Sequence, residues 1–442
     1  MNLRALAAML GLAAAVAAQE ARPKMELSFS KSIEIALAPE GNTKVQLAGE
    51  AIRQAQARKA EARSALLPNV DAAWTAQSFT MDLATFGLQI SLPPGFHIPT
   101  FVGPISTYDL RATATQTVFD LSTIRRLQSS GAQVAAAKLD SEQSRVQAAA
   151  LAGKAYMNAA RAETAVETAV ANVELADKLL KLAQAQKDAG TATGLDITRA
   201  EVQRQTEKQH LIAAREDRET SRLNLLRAMN LTLDLDFELT DQLKYEPVEI
   251  PDAVKAVATA IGNRPDLKAQ IERERSAKLS SDAAKFERLP SVAAFGNYGD
   301  IGVDPTILRP TRTAGVSVRF PIFDGGRRDA QRAEASSQLR SEGIRTRDAR
   351  QQAELEVRTS IEALRSADEQ ARVSMDALQL SEKELAQAQR RYENGVAIHL
   401  EVTDAQTRLA RARETKDSAV YGQRAARIDL AAALGDIHEI TR

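Results

Sequence analysis

Two periodicities take turns along the chain. From Leu121 to Ala189 there is no proline and only two glycines. The later part of this stretch carries Val166, Ala169, Val173, Ala176, Leu180 and Ala183 at spacings of three and four, a narrow helical seam in which large and small apolar residues alternate. At the helical rise the stretch spans about 100 Å, too long for a globular helix. It stops at Gly190, turns within a few residues, and returns from Leu195 to Met229 over only about 50 Å. Elsewhere the period is two. Val70, Ala72, Trp74 and Ala76 alternate with Asp71, Ala73, Thr75 and Gln77, and between Tyr108 and Val118, Leu110, Ala112 and Ala114 alternate with Asp109, Arg111, Thr113 and Thr115. Strands of about ten residues are predicted, the length of a tilted membrane-crossing β-strand. Between them Phe79 to Ser106 reads as a Pro/Gly-punctuated apolar loop. Leu27 to Ala38 reads as a short amphipathic helix, and Thr43 to Leu67 as a longer one ended by Pro68.

The second half repeats the first. Asn263-Arg-Pro-Asp-Leu267 opens a helix ending at Leu289-Pro290-Ser-Val292, which matches Leu67-Pro68-Asn-Val70. Strands are predicted at Val292 to Asp300 and Ala314 to Phe320, and Phe323-Asp324 matches Phe119-Asp120. The turn glycines Gly190 and Gly395 set an offset of 205 residues, which carries the seam onto Ala371, Ser374, Leu378, Ser381, Leu385 and Ala388. The same offset carries Leu195, Asp196, Ile197 and Ala200 onto Leu400, Glu401, Val402 and Ala405. Residues 231–262, with Pro247 and Pro251, divide the halves.

Composition narrows the class. The chain is 44% hydrophobic but only 4% aromatic, and 26% charged, the profile of long helices packed side by side. Its 58 basic and 58 acidic residues give a formal net charge of zero, which excludes the basic surface that a nucleic-acid partner demands. Met1-Asn-Leu-Arg4, the apolar Ala5 to Ala18 and then Gln19 read as a secretory signal cleaved after Ala18. No later run reaches the roughly 20 apolar residues of a membrane helix. The absence of cysteine rules out a disulfide and a lipid-bearing cysteine, so membrane attachment falls to the β structure.

Each half then offers one helix of about 100 Å and a return helix of half that length, and Thr43–Leu67 and Pro265–Leu289 have the length to fill the remaining wall. Four membrane strands cannot close a barrel, and open edges are not tolerated in lipid. Bacterial barrels begin at about eight strands, so two, three or more copies would serve.

The chain resembles the TolC family of outer-membrane efflux channels over its whole mature length. The resemblance is carried by Leu67-Pro68, Asn263-Arg-Pro-Asp-Leu267, Leu289-Pro290-Ser-Val292, Phe320-Pro-Ile-Phe-Asp-Gly-Gly326 and Arg391-Tyr-Glu-Asn-Gly395, in that order and duplicated. It implies a mainly α fold with membrane β: a homotrimer sharing a 12-strand β-barrel continuous with a 12-helix periplasmic α-barrel, with an equatorial belt at mid-height. The corresponding division places a signal peptide at 1–18, belt segments at 19–42, 231–262 and 435–442, and single wall helices at 43–67 and 263–289. The β-hairpins fall at 68–119 and 290–323, and the long helix, tip turn and return helix at 120–230 and 324–434.

The implied function is a passive exit duct for efflux or type I-like secretion, opened at its periplasmic tips by an adaptor protein and an inner-membrane pump. By position in the family pattern, Glu401 and Asp404 ring the periplasmic gate, Asp196 and Tyr392 belong to a closed-state latch, and the turns at Gly190 and Gly395 dock the adaptor. An arginine of the family's latch is Ala397 here. Set against these, carboxylates in a first helical turn complement the helix dipole, Tyr392 continues a heptad seam, and glycine suits a helix C-cap. A periplasmic coiled-coil adaptor or structural protein would share the signal and the hairpins, but not the strand pairs. His97, His210, His399 and His438 lack metal-ligand spacing. Gly296, Gly299 and Gly302 do not make the dinucleotide fingerprint. No enzyme, metal or cofactor is expected.

Overall fold

The computed structural model describes residues 25–87, 101–394 and 396–440, so the proposed signal at 1–18 lies outside the described residues. In chain order the elements are β1 (Met25–Leu27), α1 (Phe29–Leu37), α2 (Thr43–Ser64), β2 (Asn69–Asp82), β3 (Phe101–Phe119), α3 (Leu121–Asp188), α4 (Gly194–Ala228) and β4 (Phe237–Leu239). There follow α5 (Ala253–Asn263), α6 (Pro265–Phe286), β5 (Ser291–Asp304), β6 (Ile307–Arg319), α7 (Arg327–Glu393), α8 (His399–Leu434) and the short α9 (Ile437–Ile440). The chain is mainly helical, and among the described residues no helix is long and apolar enough to cross a membrane. Two compact units divide it: residues 1–49, 139–267 and 349–442, and residues 50–138 and 268–348.

The second of these units holds one antiparallel sheet in the order β2-β3-β5-β6. Its strands are longer than their alternation predicts. The chain expected to loop from Phe79 to Ser106 stays in β2 as far as Asp82 and is back in β3 from Phe101. In the second hairpin Asp304 pairs with Ile307 around a tight turn, so 301–304 and 307–313 are strand. In these extensions Gly103, Pro104, Gly302 and Pro310 interrupt the alternation, so the pattern lapses before the strand ends. Phe320, expected in a strand, lies just past β6.

Register sorts the sheet's side chains into two faces, because directly paired residues share a face. Val70, Trp74, Leu110, Tyr298, Val316 and Val318 lie on one, and each is at least half exposed. Asp71, Thr75, Asp109, Arg111, Thr113, Asn297 and Thr311 lie on the other. There Arg111 pairs with Asp109 at 3.1 Å. In the same unit α3 meets α6 through a serine cluster, in which Ser129 Oγ lies 2.9 Å from Ser276 Oγ and 2.8 Å from Ser280 Oγ. Ion pairs join Arg126 to Glu287 and Arg288 to Asp329.

The other unit buries an apolar core where its segments converge. The strands β1 and β4 pair in parallel, and Leu27, Ala152, Tyr156, Leu225, Met229 and Phe237 pack together. The buried Tyr156 hydroxyl donates to Leu27 O at 3.0 Å and Asp241 Oδ2 at 2.9 Å. Burial, with the bond to Asp241, raises its pKa well beyond the ordinary tyrosine range. Residues 231–262, read as a belt segment dividing the halves, contribute the strand β4 and most of the helix α5.

Arg264, from the Asn-Arg-Pro-Asp motif, ties the second repeat together. Its buried guanidinium donates to Asp266 Oδ2 at 2.6 Å and to Glu356 Oε2 on α7 at 2.6 Å. The left-handed Gly435 that ends α8 has φ of 76°, and a Cβ there would come within 3.0 Å of Arg264 Cα, so glycine serves both the turn and the close approach. Burial alone would raise the Asp266 carboxyl; the Arg264 guanidinium overcomes it and holds the pKa below the usual aspartate value.

Arg264→Ala is expected to destabilise the folded protein by about 3 kcal/mol, as for a broken buried ion pair. A carboxylate with its pKa depressed in the fold contributes stability that is complete above its unfolded pKa of about 3.9 and is lost as pH falls through the folded value. Thermal unfolding between pH 7 and pH 3 should therefore show the Arg264→Ala deficit shrinking toward the acid end.

Candidate functional site

The two tip turns are built on the same hydrogen-bond plan. At the first, Gly190 takes φ of 79°, Gly190 N donates to Lys187 O at 2.9 Å, and Thr191 N donates to Gln186 O at 2.9 Å. This is the paired closure of a helix end by a left-handed glycine, a Schellman motif. At the second, Val396 N and Ala397 N donate to Arg391 O at 2.9 and 3.2 Å, as Thr191 N and Ala192 N do to Gln186 O. The offset of 205 residues read from the sequence thus persists bond by bond. Gly395 itself lies outside the described residues.

The return helices start differently. Thr193 caps α4 with a capping box: its Oγ1 accepts from Asp196 N, and Thr193 N donates to Asp196 Oδ2 at 2.9 Å. The equivalent residue at the start of α8 is Ile398, which makes no side-chain cap bond. One helix N-terminus is therefore satisfied by its own side chains. The other leaves its first amides to solvent or to a partner.

Of the proposed latch residues, Asp196 serves the capping box and Tyr392 is buried, 6% exposed, among Leu179, Leu385, Ala388, Val402, Ala405 and Leu409. Both positions nevertheless meet electrostatically: burial first, and then the charge of Asp196, raise the Tyr392 phenol. Heptad packing and proximity to Asp196 are both present. Ala397, at the position of the missing arginine, packs against the same cluster.

Of the proposed gate residues, Glu401 and Asp404 are both exposed near the start of α8. Glu401 lies 3.5 Å from Arg391 Nη1, in a pair where both side chains are about half exposed. Such a pair contributes well under about 1 kcal/mol and leaves the carboxylate free to face other groups. Among the described residues no ion pair holds Asp404.

The sequence reading missed the residue at the last full turn of each long helix. Gln186 Nε2 donates to Tyr392 O at 3.2 Å, joining the first repeat to the second, and its counterpart Arg391 reaches Glu401. Their common position, four before each turn glycine, was the available signal. The tips also expose apolar side chains: Leu195 is 57% exposed, Val396 70% and Ile398 63%. Among the described residues no cluster of histidine and acidic side chains is arranged to hold a metal.

The model of the outer membrane efflux protein family matches residues 35–231 and 256–436. Solved structures share the fold. The Campylobacter jejuni CmeC outer membrane channel matches at 16% identity with a TM-score of 0.79, over 92% of this chain and 85% of that one. The Vibrio cholerae outer membrane protein VceC matches at 18% identity and 0.77, over 92% and 96%. The Neisseria gonorrhoeae MtrE outer membrane channel, in its open state, matches at 21% and 0.77, over 92% and 89%. No curated protein matches the chain.

Thr193→Ala is expected to destabilise the first tip by about 1 kcal/mol, and Ile398→Thr to stabilise the second by up to a similar amount. Amide hydrogen exchange across 191–200 and 396–405 should move in opposite directions in the two variants.

Proposed function

Since the chain belongs to the outer membrane efflux protein family and works at the outer membrane with its helices in the periplasm, we propose that three copies assemble into a passive exit duct. Each copy contributes four strands to a shared 12-strand barrel and four helix columns to a 12-helix periplasmic barrel continuous with it, with the segments 19–42, 231–262 and 435–442 as a belt. The observation that carries this reading is the sheet. It has an exposed apolar face and, in β2 and β6, two edges with no partner among the described residues. In lipid such edges must be paired, and copies of the same chain supply the pairing.

At the other end, the duct is gated by the tips. Three copies of Glu401 and Asp404 place six carboxylates around a narrowing pore, where they favour cations and repel one another as the helices close. Asp196 on the first hairpin and Tyr392 on the second hold the closed arrangement by linking the two tips. The uncapped start of α8 at Ile398 and the weak Arg391–Glu401 pair support the second hairpin as the part that moves. A periplasmic adaptor protein engages the turns at Gly190 and Gly395, aided by the exposed Leu195, Val396 and Ile398. An inner-membrane pump supplies the energy, since the duct itself holds no nucleotide motif.

The reading is tested by fractionation: heat-modifiable trimers in outer-membrane extracts that conduct in planar bilayers are expected. A soluble periplasmic monomer would instead favour a coiled-coil adaptor. Within the channel, replacing both Glu401 and Asp404 with Ala should raise single-channel conductance and weaken block by multivalent cations. Conductance and block indistinguishable from the parent protein would remove the carboxylate ring.

A further inference from the structure

The apolar face of the sheet is dented. Ala114, Gly296 and Ala314 lie side by side in one row of paired residues, and Ala112, Tyr298 and Arg312 lie in the next. The small side chains form the floor of a depression of about 550 Å3, and Tyr298 and Arg312 stand at its rim. Tyr298 is 62% exposed. Arg312 is exposed too, and among the described residues its guanidinium makes no ion pair or hydrogen bond. The same face carries Asp300, one row nearer the hairpin turn on the neighbouring strand, opposite Pro310 and Leu110. It does not pair with Arg312.

An arginine on a lipid-facing strand cannot shed its proton. Its cost is about 2–4 kcal/mol at the bilayer midplane and about 0–1 near an interface. Arg312 stands five residues from Ile307 at the turn, roughly 17 Å along the strand. Tyrosine beside it is the residue type of the membrane interface. With Tyr298 taken as the mark of the interface, the cation is set where a headgroup phosphate can reach it, directly over an apolar hollow. Guanidinium and phosphate meet in a two-bond geometry that ammonium cannot reproduce.

We infer that this dent seats an acyl chain of an anionic lipid whose phosphate pairs with Arg312. The inference rests on the reading that the apolar face of the sheet meets lipid. Phosphate supplies the counter-charge that Arg312 lacks among the described residues, and the row Ala114–Gly296–Ala314 leaves the depth that larger side chains would occupy. A neighbouring copy of the chain is a poorer occupant, since in the proposed barrel copies pair through the backbone edges of β2 and β6, whereas the dent opens on the face of the sheet.

The test is native mass spectrometry of the full-length trimer, purified in detergent and equilibrated with equimolar phosphatidylglycerol and phosphatidylcholine. Preferential retention of phosphatidylglycerol is expected. Arg312→Gln should weaken that retention about fivefold, equivalent to the roughly 1 kcal/mol of one basic residue at an anionic surface, and Arg312→Lys should restore part of it. Ala114→Leu, which fills the dent and keeps the charge, should lower retention of both lipids. Equal retention of the two lipids by the parent protein overturns the inference. So does unchanged retention in Arg312→Gln, or phosphatidylglycerol binding that emerges only in Asp300→Asn, which would mean that Asp300 already neutralises the cation. Planar-bilayer conductance of the same samples keeps the two readings apart. Conducting trimers without lipid preference refute the lipid site alone, whereas failure to form trimers or conduct refutes the duct.

Discussion

Backbone hydrogen bonding in a medium without water is the constraint on which the rest of this protein depends. A four-stranded sheet pairs its two inner strands on both sides and, among the described residues, leaves β2 and β6 each with one row of unmatched amides and carbonyls. In water such edges are tolerable, and in lipid each unmatched group costs several kcal/mol. The apolar face formed by Val70, Trp74, Leu110, Tyr298, Val316 and Val318 suits the sheet to lipid. In the proposed duct, lipid around that face requires other copies to pair the edges, and assembly then follows from the sheet itself.

The helical part meets a different demand, to make a wall from amphipathic helices with very little aromatic bulk. Small residues in the seams allow close approach: Ala169, Ala176 and Ala183 on α3 and Ala371, Ser374 and Ala388 on α7 are all buried. Polar groups that enter the packing pair with one another in the Ser129–Ser276–Ser280 cluster and around the Arg264 guanidinium. Charge-lined helices with such polar pairs can face water on more than one side, which a conduit requires.

Duplication gave the chain two tips, and divergence made them unequal. The backbone plan of the turns is preserved, since it depends on glycine and on carbonyls that any residue provides. The side chains that secure the following helix are not. Thr193 and Asp196 lock the first return helix, while Ile398 and Glu401 at the same positions leave the second unlocked and give its carboxylate a different use. Four residues before each glycine, Gln186 binds the neighbouring repeat where Arg391 binds its own.

The seams, the tip turns, the repeat and the inner parts of the strands were legible in the sequence because each rests on a local period or a local breaker. Heptads report burial on one helix face, alternation reports a sheet with unlike faces, and glycine reports a left-handed turn. Missing from that reading were the outer strand ends, where Gly103, Pro104, Gly302 and Pro310 interrupt the alternation. The parallel pairing of Met25–Leu27 with Phe237–Leu239 was missed as well, because three-residue strands have no period to read. Arg312 in the alternating β6 is one charge among many until register sets it beside Tyr298 and over Ala314. Sequence by itself thus determined the elements, the duplication and the membrane-length strands. Only the tertiary structure decided which residues share a face, which helix starts are capped and which charges are paired, because those follow from register and packing between segments far apart in the chain.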